Sequence, residues 1–317
     1  MATTIDVSGL TKYVDQLSAS LVRESVLKGK TVGLINTQVG IKYAEALNIM
    51  TSTLNVQAGG CGTISPSGSV ALSQRNITVC PIKVEESICL NDLEQYWTGM
   101  SMKSGSYGET VPEVINTGYA ADKVDKIQRK IEDYIWQGDT SNNYSNGLTL
   151  CGGFLSILEY TAATSSVVSS GSTYSGALTA ANAISVIDSM VSAIPDAILG
   201  NDDLAIFMSY ANFRTYINAW RDRASGAGAF HTDATNPRNW EFVHPGTNVT
   251  VYAVAGLINR THIILTNRSN LFFGTDLTND FENFMVWFER KDDIVYFRSK
   301  FKIGTQIAYP QYVVKYK

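Results

Sequence analysis

Two strand-like arms joined by a glycine- and serine-rich tip constrain this chain more than any other feature. The arms are TSTLNVQ, residues 51–57, and RNITVCPIKVE, residues 75–85, and the tip between them reads AGGCGTISPSGSVALSQ. In the second arm Thr78, Cys80, Ile82 and Val84 alternate with Ile77, Val79 and Pro81, so an extended backbone places apolar groups on both faces. A long hairpin with a loose tip has no visible way to bury both faces in a monomer. Such an extension needs a neighbour to cover it.

The rest of the chain is long enough to own a core. It has 317 residues, 44% of them hydrophobic and 17% charged, which suits one large domain or two modest ones. A net charge of −4 does not suit a protein whose main partner is a nucleic acid. The longest apolar runs, Leu204–Met208 and His262–Thr266, are strand-sized, so no membrane span and no membrane partner are expected. MATTIDVSGLTKYVDQLSAS lacks a basic start followed by an apolar run, so it does not read as a secretory signal, and the sequons at Asn76, Asn143, Asn248, Asn259 and Asn267 reflect composition alone. Cys61, Cys80, Cys89 and Cys151 form no CxxC pair and no metal-ligand spacing, and are expected as reduced, mostly buried thiols.

Along the chain, Leu10, Tyr13, Val14, Leu17, Leu21 and Val22 recur at helical spacing, which predicts an amphipathic helix ending at Gly29. That helix has no obvious partner nearby in sequence and is a candidate to pack on another copy. TVGLINTQVGI is β-branched, and residues 42–50 suit strand or helix. Pro112 opens a further helix, with an apolar stripe of Val114, Val124, Ile127, Ile131 and Tyr134 and a polar face of Asp122, Lys123, Lys126, Arg129, Lys130 and Glu132. Gly118 and Tyr119 either break it or bend it; if continuous to Trp136 it is about 35–40 Å long. It stops at Gln137-Gly138-Asp139, with the glycine as its C-cap.

A second helix follows from Thr179, with Ile184, Ile187, Val191 and Ile194 in its stripe and Pro195 at its end. The strand LAIFMS and the helix YANFRTYINAWRD come next, and residues 224–239 read as a flexible loop. The remainder reads as strands: NVTVYAVAGL, HIILTN, NLFFGTD, ENFMVWFER, DIVYFRSKFKIG and QYVVKY. The order of elements is mixed rather than regularly βαβ, which makes the class α+β.

Chemistry is sparse. There is no GxSxG, no HExxH and no Walker A motif, and GGCGTISPSG lacks the spacing of a dinucleotide fingerprint. His231 beside Asp233 lies in the loop, His244 precedes Pro245 in a turn, and His262 starts an apolar strand. Glu85-Glu86, Asp202-Asp203 and Asp292-Asp293 are adjacent pairs, and neighbours on a strand point to opposite faces rather than converging. Neither catalytic residues, nor a cofactor site, nor a metal site is expected.

The order of these parts resembles the major capsid proteins of tailed phages, the Hong Kong 97 fold shared with herpesvirus capsids. CPIKVEESICLNDLEQYW leads into the helix; IWQGD is similar to the family's usual end of its spine helix; GGFLSIL is similar to the start of its axial domain. AISVIDSMVSAIPDAILGNDDLAIFMSYANFRTYI resembles the axial helix, central strand and following helix, and DIVYFRSKFKIGTQIAYPQYVVKY the closing strands. The resemblance implies an N-terminal arm over 1–42, an E-loop hairpin over 43–84, a peripheral domain with the spine helix over 85–140, an axial domain over 141–280, and closing strands over 281–317 that return to the peripheral domain.

It also implies which residues meet neighbours. These are Tyr13, Leu17 and Leu21 of the arm; Gly59, Gly60, Gly62, Ser65, Pro66 and Gly68 of the E-loop tip; and Ser225, Gly226, Gly228 and Phe230 of the axial loop. Val124, Ile127 and Ile131 form the spine-helix core. The implied partners are copies of the chain in pentamers, hexamers and a full shell, a separate scaffolding protein, a portal, decoration proteins, and packaged double-stranded DNA held by weak non-specific contact. A virion location with assembly in the host cytoplasm follows. The chain starts at its arm, with no helical scaffolding domain in front, and residues 43–82 contain no lysine for a cross-link from the E-loop. An encapsulin-like shell and a surface adhesin are the competing readings, and the missing export signal weighs against the adhesin.

Overall fold

The computed structural model describes residues 29–57, 67–89, 120–161, 168–169, 178–224, 240–276, 284–289, 291 and 294–316. Tyr13, Leu17 and Leu21, the tip residues Gly59, Gly60, Gly62, Ser65 and Pro66, the loop residues Ser225, Gly226, Gly228 and Phe230, and the helix start around Pro112 lie outside the described residues.

In chain order the strands are β1 (Asn36–Gln38), β2 (Ala44–Leu54), β3 (Gly68–Thr78), β4 (Cys80–Cys89), β5 (Val168–Ser169), β6 (Leu204–Ser209), β7 (Glu241–Val243), β8 (Thr250–Val254), β9 (Ile263–Asn267), β10 (Leu271–Gly274), β11 (Phe284–Glu289), β12 (Ile294–Ile307) and β13 (Val314–Tyr316). The longer helices are α1 (Ala120–Gln137), α2 (Ala183–Ser192) and α3 (Tyr210–Ala224). Three sheets result. One has five strands in the order β1-β10-β12-β11, with β4 also on β12; another has six in the order β5-β13-β9-β6-β8-β7; β2 and β3 form a hairpin by themselves. The α+β class holds. The last strand, β13, pairs with β9 and so joins the six-stranded sheet, while β11 and β12 stay in the five-stranded one.

LAIFMS is apolar throughout because both faces of β6 are covered. Ala205 and Phe207 enter a core shared with α1 and the five-stranded sheet, whereas Leu204, Ile206 and Met208 pack under α2 and α3. Helix α2 turns its stripe slightly from the expected one: Ala183, Val186, Ile187 and Met190 are buried, and Ile184 and Val191 flank them.

Helix α1, about 27 Å over its 18 described residues, carries Ile127, Ile131, Ile135 and Trp136 into the shared core, with Val124 half-buried beside them. Two expectations fail here. Glu132, assigned to the polar face, is only 1% exposed, because residues 29–31 pack across the helix at that point. Gly138 is needed, but not as a left-handed cap: its φ is not positive. A Cβ on Gly138 would lie 2.7 Å from the Tyr134 carbonyl, and one on Gly153 2.6 Å from the same oxygen. Gly153 N–H donates to the Gly138 carbonyl at 2.7 Å. Gly138 of IWQGD and Gly153 of GGFLSIL are thus one feature, two backbones packed with no room for a side chain, whereas a Cβ on Gly152 would meet nothing. Asp139 then organises the following turn, accepting from Ser141 N–H at 3.0 Å and Asn143 N–H at 2.6 Å.

The expectation of free thiols also fails for one pair. Cys80 on β4 and Cys151 are joined by a disulfide, with Cα atoms 5.9 Å apart. Both approach β12 near Ile303, a proximity hidden by 71 residues of intervening sequence. Cys89 is free.

Two substitutions test this packing. Ile127→Asp puts an unpartnered charge into the shared core and is expected to leave no soluble folded chain; wild-type solubility would place the buried face of α1 elsewhere. Gly153→Ala is expected to cost about 2 kcal/mol by overpacking, read as a lower thermal midpoint in circular dichroism.

Candidate functional site

The hairpin is built from residues that favour strands at its base and lose cover outward. Its ladder runs through eleven pairs, from Ala44 opposite Thr78 to Leu54 opposite Gly68. At the base, Leu47 and Ile77 are buried with Ile41 and Val79, and Phe272 packs against them. After Val79 the strand changes both its partner and its buried face. Ile82 enters the shared core beside β12, and Cys80 and Val84 pack against it half-buried. Both faces of RNITVCPIKVE are therefore covered, but one after the other along its length.

Polar groups bolt this base to the five-stranded sheet. Lys42 Nζ lies 2.7 Å from Asp276 Oδ1, and Lys302 Nζ lies 2.9 Å from Asp276 Oδ2 and donates to the Lys42 carbonyl at 3.1 Å. Gln306 Nε2 donates to the Asn76 carbonyl at 2.7 Å. The Lys42 ammonium, then that of Lys302, holds the Asp276 carboxyl below the usual carboxylate range.

Past Ile49, which is still buried, the side chains of the hairpin lose cover among the described residues. Met50 and Leu72 are directly opposite each other on one face and are 61% and 78% exposed; Val70 on the same face is 66% exposed. Leu54 and Val56 reach 87% and 91%. Residues 46–74 contain no charged side chain at all, whereas exposed edge strands ordinarily carry charges that discourage pairing with another chain. Gly68, the one described member of the expected tip set, starts β3 at a φ of +114° with the Thr53 carbonyl 2.7 Å from where a Cβ would be. This surface is built to be covered.

A second polar centre sits where the start of the described chain crosses α1. Thr31 N–H donates to Glu132 Oε2 at 3.2 Å, the Thr31 hydroxyl donates to Oε1, and Trp136 Nε1 donates to Thr31 Oγ1 at 2.7 Å. Burial pushes the Glu132 carboxyl up, partly opposed by these donors. Lys30 reaches the other way, to Glu241 at the start of β7 at 2.5 Å. The sequence missed this centre. Glu132 lies four residues before Trp136, at the border of the apolar stripe, and only packing decides to which side a border residue turns.

The remaining titratable groups hold elements together. His244 takes the Tyr216 hydroxyl at Nδ1 (2.6 Å) and faces Asp188 from Nε2 at 3.2 Å, tying β7 to α2 and α3. Burial lowers the His244 pKa and raises that of Tyr216. His262 Nε2 lies 2.8 Å from Glu159 Oε1, and Tyr144 donates to Glu159 Oε2 at 3.0 Å. Glu85 pairs with Arg298 and Glu86 with Lys123 on α1, on opposite faces of β4 as adjacency requires. Among the described residues no three His, Cys, Asp or Glu side chains cluster as metal ligands, and no helix is long and apolar enough to cross a membrane.

Because the folded-state pKa of Asp276 is depressed, its contribution is present above the unfolded value of about 3.9 and is lost as pH falls through the lower folded value. Hydrogen exchange of the β2 and β3 amides is expected to accelerate in acid below pH ~4 in the wild type, relative to the intrinsic rate. In Asp276→Asn it should already be faster at neutral pH, without that step. Equal protection in both proteins would show that the base does not depend on the bridge.

No family model and no curated protein matches this sequence. Solved structures do. The capsid of a native GTA particle superposes over 99% of this chain and 99% of its own, at 13% identity and a TM-score of 0.56. The capsid of Myoviridae phage XM1 covers 99% and 98% at 12% identity and a TM-score of 0.55. The satellite phage P4 procapsid, determined with its size-determination protein Sid, covers 91% and 94% at 11% identity and 0.50. From end to end, this chain has the Hong Kong 97-like fold of tailed-phage capsid subunits.

Proposed function

We propose that this chain is the major capsid protein of a tailed phage, a subunit that assembles into pentamers, hexamers and an icosahedral shell around double-stranded DNA. The observation that carries the reading is the uncharged, uncovered hairpin on a chain whose full length follows capsid subunits. In this reading the hairpin is the E-loop. It lies across an adjacent copy, with Gly59, Gly60, Gly62, Ser65, Pro66 and Gly68 at its tip. Each contact contributes at roughly 25 cal/mol per Å² of apolar area, and many contacts per subunit reinforce one another.

The remaining parts follow. Residues 1–42, with Tyr13, Leu17 and Leu21, are the arm laid on a neighbour. Residues 85–140 are the peripheral domain, in which Val124, Ile127 and Ile131 seat the spine helix. The six-stranded sheet is the axial domain, and its loop with Ser225, Gly226, Gly228 and Phe230 gathers at the five- and six-fold axes. The shell subunit is proposed to have no catalytic role, to reside in the virion after assembly in the host cytoplasm, and to count a separate scaffolding protein among its partners. The P4 procapsid, solved together with Sid, is an example of this fold accompanied by a second protein. Portal and decoration proteins complete the partners.

The test replaces Gly59–Ser73 with a short turn. Loop shortening carries only a small entropic term, so the melting transition should be retained while shells disappear in electron micrographs. Normal shells from the shortened chain would refute the assignment, and a collapsed transition would return the hairpin to the monomer core.

A further inference from the structure

The hairpin base and the six-stranded sheet enclose an open cleft of about 490 Å³. One wall is residues 47–52 of β2; the others come from Ala197–Asn201 after α2, from Asn267–Phe272 between β9 and β10, and from Ala308–Tyr312. Its lining is apolar and neutral polar: Leu47, Ile198, Phe272 and Tyr309 form the body, and the exposed Asn201 and Ser269 are at the edge. No lining side chain carries a charge.

We propose that this cleft is the seat for the outer half of the hairpin of a second copy of the chain. The inference rests on the capsid reading above and names the surface on which that hairpin lies. Two surfaces without charge suit each other, because neither loses an ion's hydration on contact. The hairpin presents Leu54, Val56 and Val70, and the outer edges of a two-stranded ladder offer unpaired backbone N–H and C=O groups. Asn201 and Ser269 are neutral partners for those groups.

The chain's own hairpin is one wall of the cleft: residues 47–52 of β2 line it, and Leu54 lies two residues past the last of them, about 7 Å further along the ladder. Tip-to-base seating is therefore a contact between unlike surfaces, the kind that closes into rings when the rotation permits. Another exposed apolar site among the described residues, Met285 and Trp287 on β11, fits less well. It lies beside the Arg298–Glu85 ion pair, with Arg298 5.3 Å from the Trp287 ring. An uncharged strand laid there would strip water from ions without replacing it.

The experiment places a photo-crosslinking phenylalanine at Leu54, mixes equal amounts of light and nitrogen-15-labelled full-length chain, assembles, irradiates and maps the joined peptides. The expected result is mixed-isotope crosslinks from position 54 to peptides containing 197–201, 267–272 or 308–312. Mixed-isotope crosslinks to 284–298 instead would overturn the cleft assignment and leave the capsid reading intact. Crosslinks only within one chain would overturn it as well. Absence of assembly by the unmodified protein under all salt and scaffold conditions would sink both.

A second variant, Ser269→Trp, closes the cleft from an exposed position. Assembled particles should fall at least tenfold while the melting midpoint stays where it is. Normal particle yield from Ser269→Trp would overturn the inference, even though the shortened hairpin still abolished shells.

Discussion

Trp136 stands where four parts of the described chain meet. Its ring is fully buried at the end of α1, 5.3 Å from Phe154 and 5.2 Å from Phe207 of β6, centroid to centroid. Its Nε1 donates to Thr31, and Gly256 is a glycine because the indole and the Glu132 carbonyl leave no space for a Cβ. One side chain thus joins the helix, the turn after it, the six-stranded sheet and the segment that precedes β1. An indole can do this because it combines a large apolar face with a single donor that must find a partner when buried.

The neighbouring residues extend the same junction. Gln137 donates to the carbonyls of Gly256 and Ile258 and accepts from Arg260 at 2.8 Å, so the last turn of α1 is wired to the loop after β8. Gly138 and Gly153 bring two backbones together, and Asp139 closes the turn between them. The result is a stiff body from which the hairpin projects. Its outer strands have almost nothing to pack against, and the Lys42–Asp276–Lys302 bridge with a small apolar cluster sets its exit. A stiff body with a protruding neutral hairpin is suited to contacts between copies, since little ordering remains to be done when they meet.

The motifs IWQGD and GGFLSIL were legible because they record close packing, which only certain residues allow. The helices over 183–192 and 210–224 and the closing strands were legible from periodicity, since burial on one face leaves a repeat of about 3.6 or 2 residues, and LAIFMS from its unbroken apolar run between turn signals. The hairpin was legible only in part: the arms were expected at 51–57 and 75–85 around a loose tip, whereas 44–54 pair with 68–78 and residues 80–85 join β12 in the five-stranded sheet. Residues 42–50 suited strand or helix until β3 was seen beside them. The two-residue β5 and the three-residue β1 and β7 are too short to leave a period.

By itself, then, the sequence determined that this chain is α+β, where its long helix ends, and that the arm over 51–57 lacks cover in its own chain. Those features follow from local pattern and from residue types that tolerate few environments. Only the tertiary structure decided that Glu132 faces inward onto Thr31, that Cys80 meets Cys151, that β13 joins the six-stranded sheet, and that a charge-free cleft opens at the hairpin base. Each of these joins residues far apart in the chain, 71 residues between Cys80 and Cys151 and 101 between Thr31 and Glu132. No local pattern encodes such a meeting, because the partner that gives it meaning is supplied by the packing of the whole.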